Sequence, residues 1–597
     1  MATAQADRLR NLAIVAHVDH GKTTLVDQLF RTAGVAGRTL EERALDRLEL
    51  ERERGITIAA KNCAVTWKGV KINILDTPGH ADFGGEVERA LSMVDGALLL
   101  VDAAEGPLPQ TRFVLGKVLE QRLAMVVVIN KIDRADARPA EVLDAVYDLF
   151  IDLGADEEQI EFPVLYAVGR DGVCKREPEG EDEGLGLLLD TLVATLPPPR
   201  FDPAEPFQMR VANLDYSEYL GRLAIGRVVH GTARESDELV CMGAGGAERP
   251  LRVTRLQVYD GLEIRRVEAV GPGEIAILAG IDEVEIGDTI CTREAPRRLP
   301  RIAVEEPTVA MRFGPNTSPL AGREGDIVQA RKIRDRLHRE TLQNVAIAIE
   351  PLEDDTILVK GRGELQMAIL IETLRREGFE LTVGRPQILY REAGGERLEP
   401  IEHLYVDCPE ALIGVVSEKL ALRKGRMLNL VNHGSGRVRM EYSIPARGLI
   451  GYRSEFLTDT RGAGILNGYL EGYEPYRGDF PSRITGSLVA DRGGEAVAYA
   501  LFHLEPRGTL FVRPGDPVYR GMIIGEHSRE RDLIVNPCKT KKLTNMRAAG
   551  RDENILLAPV PPMTLERAIE FIKEDEAVEV TPRSIRLRKL HLDPAAR

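Results

Sequence analysis

Nowhere in its 597 residues does the chain hold a run of about 18 apolar residues, so no segment reads as a membrane span. The stretch from Met1 to Asp7 lacks a charged region followed by an apolar one, and a secretory signal is not expected. Cysteines are few and scattered: six, at 63, 174, 241, 291, 408 and 538, with no C-x-x-C pair. That pattern excludes the common zinc and disulfide frameworks and predicts free thiols in a reducing cytoplasm. No repeat of solenoid period is present. An excess of positive charge is missing too: the net charge is −15, which argues against a whole-surface nucleic-acid binder. The charge is uneven, however. Residues 481–597 carry 19 Lys and Arg against 16 Asp and Glu, a net of +3, so the remainder carries −18. A basic tail on an acidic body is compatible with RNA contact at one end.

What is present is a soluble-type composition, 43% hydrophobic and 29% charged, in a chain long enough for about four domains. From 11 to 196, strand and helix patterns alternate. Leu12–Ala16, Ile72–Asp76, Ala97–Asp102 and Met125–Asn130 are short apolar runs ending in polar motifs, as buried parallel strands do. Gly21–Leu29 and Phe83–Ser92 suit the helices between them. The charged connection 31–57 is too long for a passive loop and reads as a mobile switch. Pro197-Pro198-Pro199-Arg200-Phe201-Asp202-Pro203 is a stiff boundary. After it, short β-type runs broken by Gly and Pro predict a β-barrel over 205–300. The pattern in 307–392 suggests a βαββαβ unit, and a second such unit fits 398–480. The rest is mostly β-like and ends in a short helix, Thr564–Lys573.

Four motifs fall at the carboxyl ends of the apolar runs, where ligands bind in such sheets. Ala16-His17-Val18-Asp19-His20-Gly21-Lys22-Thr23 fits the P-loop pattern, except that Ala16 replaces the first glycine. Backbone N–H groups from Asp19 to Thr24 and the helix N-terminus can cradle phosphates. Gly21 must be small, Lys22 supplies a point charge, and the Thr23 hydroxyl suits Mg²⁺. The Ala16 methyl is expected to fit because the turn there need not have positive φ. Asp76 is a Walker-B-type acid reaching Mg²⁺ through water, and Thr57 would complete an octahedral oxygen shell. Gly79 can offer its N–H to the γ-phosphate and let its loop flip when that phosphate leaves. In Asn130-Lys131-Ile132-Asp133, the Asp133 carboxylate matches the paired guanine N–H donors that adenine lacks, while Asn130 and Lys131 brace base and loop. His80, after Asp76-Thr77-Pro78-Gly79, can position the attacking water without being a strong base. Arg54 aside, no arginine is placed as a finger in cis, so unaided hydrolysis should be slow, about 10⁻⁴–10⁻² s⁻¹, and an outside activator is implied. Together the motifs specify GTP, GDP as product, Mg²⁺ and a switch.

These motifs, with Arg54-Gly55-Ile56-Thr57, resemble the translational GTPases, and Gly226-Arg227-Val228-x-x-Gly231 resembles the signature of their β-barrel domain. Later stretches are similar to the BipA/TypA family: Asn316-Thr317-Ser318-Pro319, Gly361-Arg362-Gly363-Glu364-Leu365, Arg375 to Leu381, Pro445 to Thr458, and Lys541-Lys542-Leu543-Thr544-Asn545-Met546-Arg547. The similarity runs from about residue 10 to 591. It implies a multidomain α/β and β protein: a P-loop GTPase α/β domain (1–200), a β-barrel domain (201–302), and two ferredoxin-like α+β domains resembling domains III and V of elongation factor G (303–394 and 395–480). A mostly-β family-specific C-terminal domain (481–597) replaces that factor's domain IV.

The implied role is a cytoplasmic, monomeric, ribosome-associated GTPase that assists large-subunit assembly and translation under cold or other stress. Both ribosomal subunits and ribosomal RNA are implied partners, transfer RNA is a further one, and a membrane is not. By analogy the sarcin–ricin RNA loop orders catalytic His80 over the water, with Val18 and Ile56 as the apolar gate. Ala167-Val168-Gly169-Arg170 departs from the family's Ser-Ala motif, and backbone N–H groups are expected to reach the guanine O6 there. Lys539, Lys541, Lys542, Arg547 and Arg551, with Thr544 and Asn545 as hydrogen-bond donors, suit phosphate contacts on RNA; the absence of aromatics argues against base stacking. Arg447 to Arg453 reads as a structural turn. Two other readings remain open: a LepA-like or translocation-type elongation factor, and a ribosome-assembly RNA chaperone in which GTP only regulates docking.

Overall fold

The computed structural model describes all residues except 1–5, 18–19, 35–60, 79–83, 218, 282, 303–306, 345, 433–435, 481–482, 541–555 and 594–597. The expected switch connection therefore lies largely outside the described residues. The chain divides into two compact units, Met1–Glu305 with Leu342–Ala346, and Glu306–Thr341 with Ile347–Arg597.

The first unit opens with a seven-stranded sheet. Its strands are β1 (Leu9–Ala16), β2 (Lys61–Trp67), β3 (Val70–Asp76), β4 (Gly96–Asp102), β5 (Ala124–Asn130), β6 (Val164–Val168) and β7 (Val173–Lys175), in the order β2-β3-β1-β4-β5-β6-β7. The pairs β1–β3, β1–β4, β4–β5 and β5–β6 are parallel, whereas β2 and β7 run antiparallel at the edges. Every residue of β4 is buried, as the unbroken apolar run predicts for a strand covered on both faces. Two clusters pack the two faces. One gathers Leu25, Leu29 and Phe30 of helix α1 (Lys22–Thr32) with Leu188 and Leu192 from Leu185–Thr195; the other gathers Val87, Leu115, Val146 and Phe150.

Eight antiparallel strands between Gln208 and Thr292 form the expected barrel-type sheet around Met209, Val211, Val228 and Ile290. Ala212, Leu223, Ile225, Ile275 and Ile277 instead join the core that contains Val94 and Ala97 of the nucleotide domain. Polar contacts fix the same junction. The Arg227 guanidinium donates to Asp95 at 2.6 Å, Arg210 to the Ser92 carbonyl at 2.6 Å, and the Asn11 amide to the Gly273 carbonyl at 3.0 Å. Gly226, one residue before Arg227, is there of necessity: a Cβ would lie 2.0 Å from the Arg210 carbonyl oxygen.

In the second unit both βαββαβ units are present. The first places helices Ala330–Gln343 and Glu364–Arg376 among strands Val309–Pro315, Ala348–Pro351, Ile357–Gly361 and Leu381–Val383. The second places helices Ile413–Leu422 and Tyr452–Asp459 with strands Glu396–Pro409, Arg426–Asn432, Arg437–Pro445 and Ile465–Pro475. Arg447 is indeed structural, donating to the fully buried Glu399 and to the Gly478 carbonyl. The sequence treats 303–394 and 481–597 separately, but their strands make one eleven-stranded sheet. Leu381, Thr382 and Val383 pair with Val580, Glu579 and Val578, and Phe313, Leu370, Ile569 and Leu587 share one core. Local periodicity cannot register a pairing across some two hundred positions.

Two tests address these joints. Arg227→Ala would strand the mostly buried Asp95, whose other partner is the Asn11 amide at 2.9 Å. A loss of roughly 3 kcal/mol is expected, read by chemical denaturation. A loss below about 0.5 kcal/mol would show that the apolar core alone holds the junction. Glu380 is fully buried, and burial by itself would raise its pKa. The N–H groups of Gly322, Glu324 and Gly325 and the Asn316 amide, at 2.8–3.0 Å, outweigh that and hold it below the usual glutamate range. Its stabilisation is thus complete above the unfolded value near 4.3 and is lost as pH falls through the lower folded value. Glu380→Gln should flatten the acid limb of the stability curve below about pH 5, measured by urea melts; an unchanged limb would refute the assignment.

Candidate nucleotide-binding site

β1 ends at Ala16, which continues the strand without positive φ, so the missing glycine leaves no strain. Gly21 does turn, with φ +91°, and a Cβ there would lie 2.6 Å from Asn130 Nδ2. Glycine is therefore required both for the backbone and for the space. Helix α1 starts at the next residue, which puts Lys22, Thr23 and Thr24 in its first turn, where free N–H groups and the dipole favour an anion. Lys22 Nζ lies 2.7 Å from Asp76 Oδ1 and also donates to the Thr77 carbonyl. Thr77 Oγ1 donates to the Ile14 carbonyl at 2.8 Å, tying the end of β3 back onto β1. Asp76 is fully buried, Thr23 half-buried and Thr24 exposed.

Asn130, at the end of β5, connects three loops. Its Nδ2 donates to the His20 carbonyl at 2.8 Å, and its Oδ1 accepts from the Gly169 N–H at 2.9 Å. Lys131 adopts a left-handed φ of +60°, and its Nζ sits 2.8 Å from Asp102 Oδ2. Asp133 is exposed and, among the described residues, meets Arg170 Nη2 at 3.4 Å. So long a contact is weak and leaves carboxylate oxygens able to accept from a base edge. Arg170 is itself held at its carbonyl by Gln28 Nε2 of α1, at 2.8 Å.

The His20 ring has its own surroundings. As a phosphate-binding residue His20 can act only through its backbone, because its ring is fully buried. Nδ1 lies 3.3 Å from the Leu100 carbonyl oxygen and 3.4 Å from the Asp102 N–H, and Nε2 lies 3.6 Å from a Glu105 oxygen. The backbone N–H is itself 3.3 Å from the His17 carbonyl. Val18, Asp19, Ile56, Thr57, Gly79 and His80 lie outside the described residues, as do Lys541, Lys542, Thr544, Asn545 and Arg547. Lys539 is described and exposed.

The sequence reading passed over Asp102, Glu105 and Arg134. Asp102 is fully buried and accepts from the Ala104 and Glu105 N–H groups at 2.8 and 3.2 Å, as well as from Lys131 and Arg134. Burial pushes its pKa up, but these donors outweigh it and the carboxyl lies below its ordinary range. Glu105 is lowered too, chiefly by its interaction with His20. The available signal was an acid closing an otherwise apolar strand. Elsewhere, burial pushes the Cys174 and Cys241 thiols up to about 12, which removes them as nucleophiles near neutral pH. Among the described residues no helix is long and apolar enough to cross a membrane.

Comparison with known proteins matches four segments of the chain to family models. Residues 7–198 match the family described as Elongation factor Tu GTP binding domain, and 206–293 match Elongation factor G domain 2. Residues 396–484 match Elongation factor G C-terminus, and 485–594 match the TypA/BipA C-terminal domain. A protein of Bacillus subtilis (strain 168) named Large ribosomal subunit assembly factor BipA is 48% identical over 585 residues, covering 97% of this chain and 96% of its own length. Proteins of the same name from Synechocystis sp. and Escherichia coli (strain K12) are also 48% identical, with 98% of this chain covered and 98% and 97% of theirs. A crystal structure of a protein from Thermus thermophilus superimposes with a TM-score of 0.55 at 18% identity, covering 78% of this chain and 97% of that one, and supports the multidomain fold. With a GTP-binding domain at one end, the family's own C-terminal domain at the other and near-full-length identity between them, the chain belongs to the TypA/BipA family and is a GTPase.

Proposed function

We propose that this protein is a GTP-driven switch that docks on ribosomal particles, assists assembly of the large subunit and translation under stress, and is reset by ribosome-stimulated hydrolysis in the cytoplasm. The observation that carries the reading is the 48% identity, over nearly the whole of both chains, to proteins named for large-subunit assembly. In this reading the Asp19–Thr24 backbone grips the phosphates, Lys22 neutralises charge on the β- and γ-groups, and Gly79 reports the γ-phosphate. Asp133 reads the guanine edge, with Asn130 and Lys131 bracing the loop and the Gly169–Arg170 backbone near the O6. His80 places the water once ribosomal RNA, the sarcin–ricin loop in particular, orders it between Val18 and Ile56.

Mg²⁺ fits the donor set. Thr23 offers a hydroxyl in the first turn of α1 and Thr57 is the second direct oxygen ligand in this reading, while Asp76, a fully buried carboxylate, reaches the ion through water. When bound, the ion would spread the charge developing on the phosphoryl oxygens. The chain's own part is to hold Asp76 at the end of β3, facing the start of α1, through the Lys22 and Thr77 contacts. Lys539, Lys541, Lys542, Thr544, Asn545 and Arg547 supply the RNA contact, and transfer RNA is a second candidate for it. The protein acts as a monomer.

The deciding assay measures hydrolysis of GTP and ATP with and without ribosomes or large subunits. GTP alone should be turned over, and faster with the particles; equal rates with and without them would refute the switch. His80→Ala should retain GTP and particle binding but lose about 100-fold or more of the stimulated rate. Undiminished stimulation would remove His80 from the mechanism. Asp133→Asn swaps one acceptor for a donor and so should weaken GTP by about 100-fold or more while admitting XTP, whose C2 carries a carbonyl. Unaltered selectivity would place base reading elsewhere.

A further inference from the structure

Building on the nucleotide-site reading, we propose that Asp102 is a positioning residue that locks the base-reading loop to the phosphate loop, so that gripping the phosphates and reading the base are a single coupled event. Two loops from opposite ends of the site converge on the turn after β4. From the phosphate loop comes His20, whose ring is fully buried against that turn: Nδ1 faces the Asp102 N–H and Nε2 faces Glu105. From the base loop come Lys131 Nζ at 2.8 Å and Arg134 Nη1 at 3.2 Å, both on Asp102 Oδ2. Arg134 also lies 3.4 Å from one oxygen of Glu105, whose other oxygen is 3.6 Å from His20 Nε2, so this acid stands between the base loop and the histidine without a close bond to either. The other oxygen, Oδ1, holds the Ala104 and Glu105 N–H groups, so the turn cannot shift without losing them.

Three features make the link stiff. His20 is fixed from both sides, its ring by complete burial against the β4 turn and its carbonyl by Asn130 at 2.8 Å. Asp102 is fully buried, where an unpaired carboxylate is costly and a satisfied network is strong. Lys131 has a left-handed backbone, a conformation that costs a non-glycine residue about 1–2 kcal/mol and persists only when its surroundings impose it. Here that conformation coincides with the 2.8 Å ion pair from Lys131 to Asp102. Asp133 lies two residues further along the same loop, so the strut also sets the angle of the base-reading carboxylate.

The test uses the full-length protein and a fluorescent GDP, with dissociation rates and affinities for GDP and IDP, which lacks the guanine 2-amino group. Asp102→Asn should speed GDP release at least about tenfold, equal to 1.4 kcal/mol, and lower the preference for GDP over IDP. In turnover, KM for GTP should rise by a larger factor than kcat falls. A merely destabilised protein would lose active fraction for GDP and IDP alike and leave their ratio unchanged, which would overturn the proposal. Lys131→Met and Asp102→Asn together should be no worse than the stronger single change, because both cut the same strut; additive losses would overturn it. If Asp102→Asn does not fold, the cycle of His20→Gln with Lys131→Met carries the same test. Failure of wild-type protein to bind GDP would sink the site reading itself, whereas normal wild-type binding with an unaltered Asp102→Asn would sink only the strut.

Discussion

Everything at the nucleotide site depends on one buried contact, the Lys22 ammonium on the Asp76 carboxylate. Asp76 has no exposed surface, and a carboxylate in that position must have a cation beside it. The requirement fixes the architecture around it. β1 and β3 must be parallel neighbours, with Ile14 opposite Asp76, so that the helix entered from β1 begins against the end of β3. The Thr77 hydroxyl on the Ile14 carbonyl keeps that register, and the glycine at 21 lets the chain turn in the space left by Asn130. Phosphate chemistry therefore sits where a buried lysine and carboxylate already meet at the end of β3.

Within each compact unit the pieces share cores and sheets. The barrel-type sheet shares a core with the nucleotide domain and is pinned to Asp95, the residue just before β4, by Arg227. β4 then carries the constraint to its other end, where Asp102 gathers the two nucleotide loops. One buried strand thus has a domain contact at its start and a loop clamp at its finish. In the second unit, the pairing of Leu381–Val383 with Val578–Val580 gives the C-terminal segment a sheet in common with the 309–388 strands. Asn316 and Ser318 donate to the buried Glu579 across that same seam, which explains in packing terms why the Asn-Thr-Ser motif stands there.

The sequence was most legible where one residue's chemistry is decided by its neighbours in the chain. Strand ends and the need for a small residue at 21 follow from short-range pattern, and the two βαββαβ units follow from periodicity. It was least legible where partners are remote. His20 sits inside a phosphate-binding motif, yet its ring belongs to the β4 turn some 80 positions away. Asp102 lies in Asp-Ala-Ala-Glu-Gly, a string that reads like any strand-end turn until Lys131 and Arg134 are brought onto it. The joined sheet of the second unit escaped for the same reason, since each half satisfies its own pattern.

The basic tail shows how composition can mislead and then be repaired. Several of its cations are internal: Lys589 is buried among Asp532, Asp575 and Glu576, and Arg586 lies between Glu324 and Glu579. Such groups complete a core network and have no reach toward a polyanion. The five cations of 539–551 exceed the whole surplus of +3 in 481–597, so the remainder of the segment is net −2. The net positive charge of this part of the chain therefore lies in the stretch that begins at Lys539. A contact made there alone would be strongly salt-dependent, because each neutralised phosphate releases counterions. It would involve no base stacking, since the stretch contains no aromatic side chain.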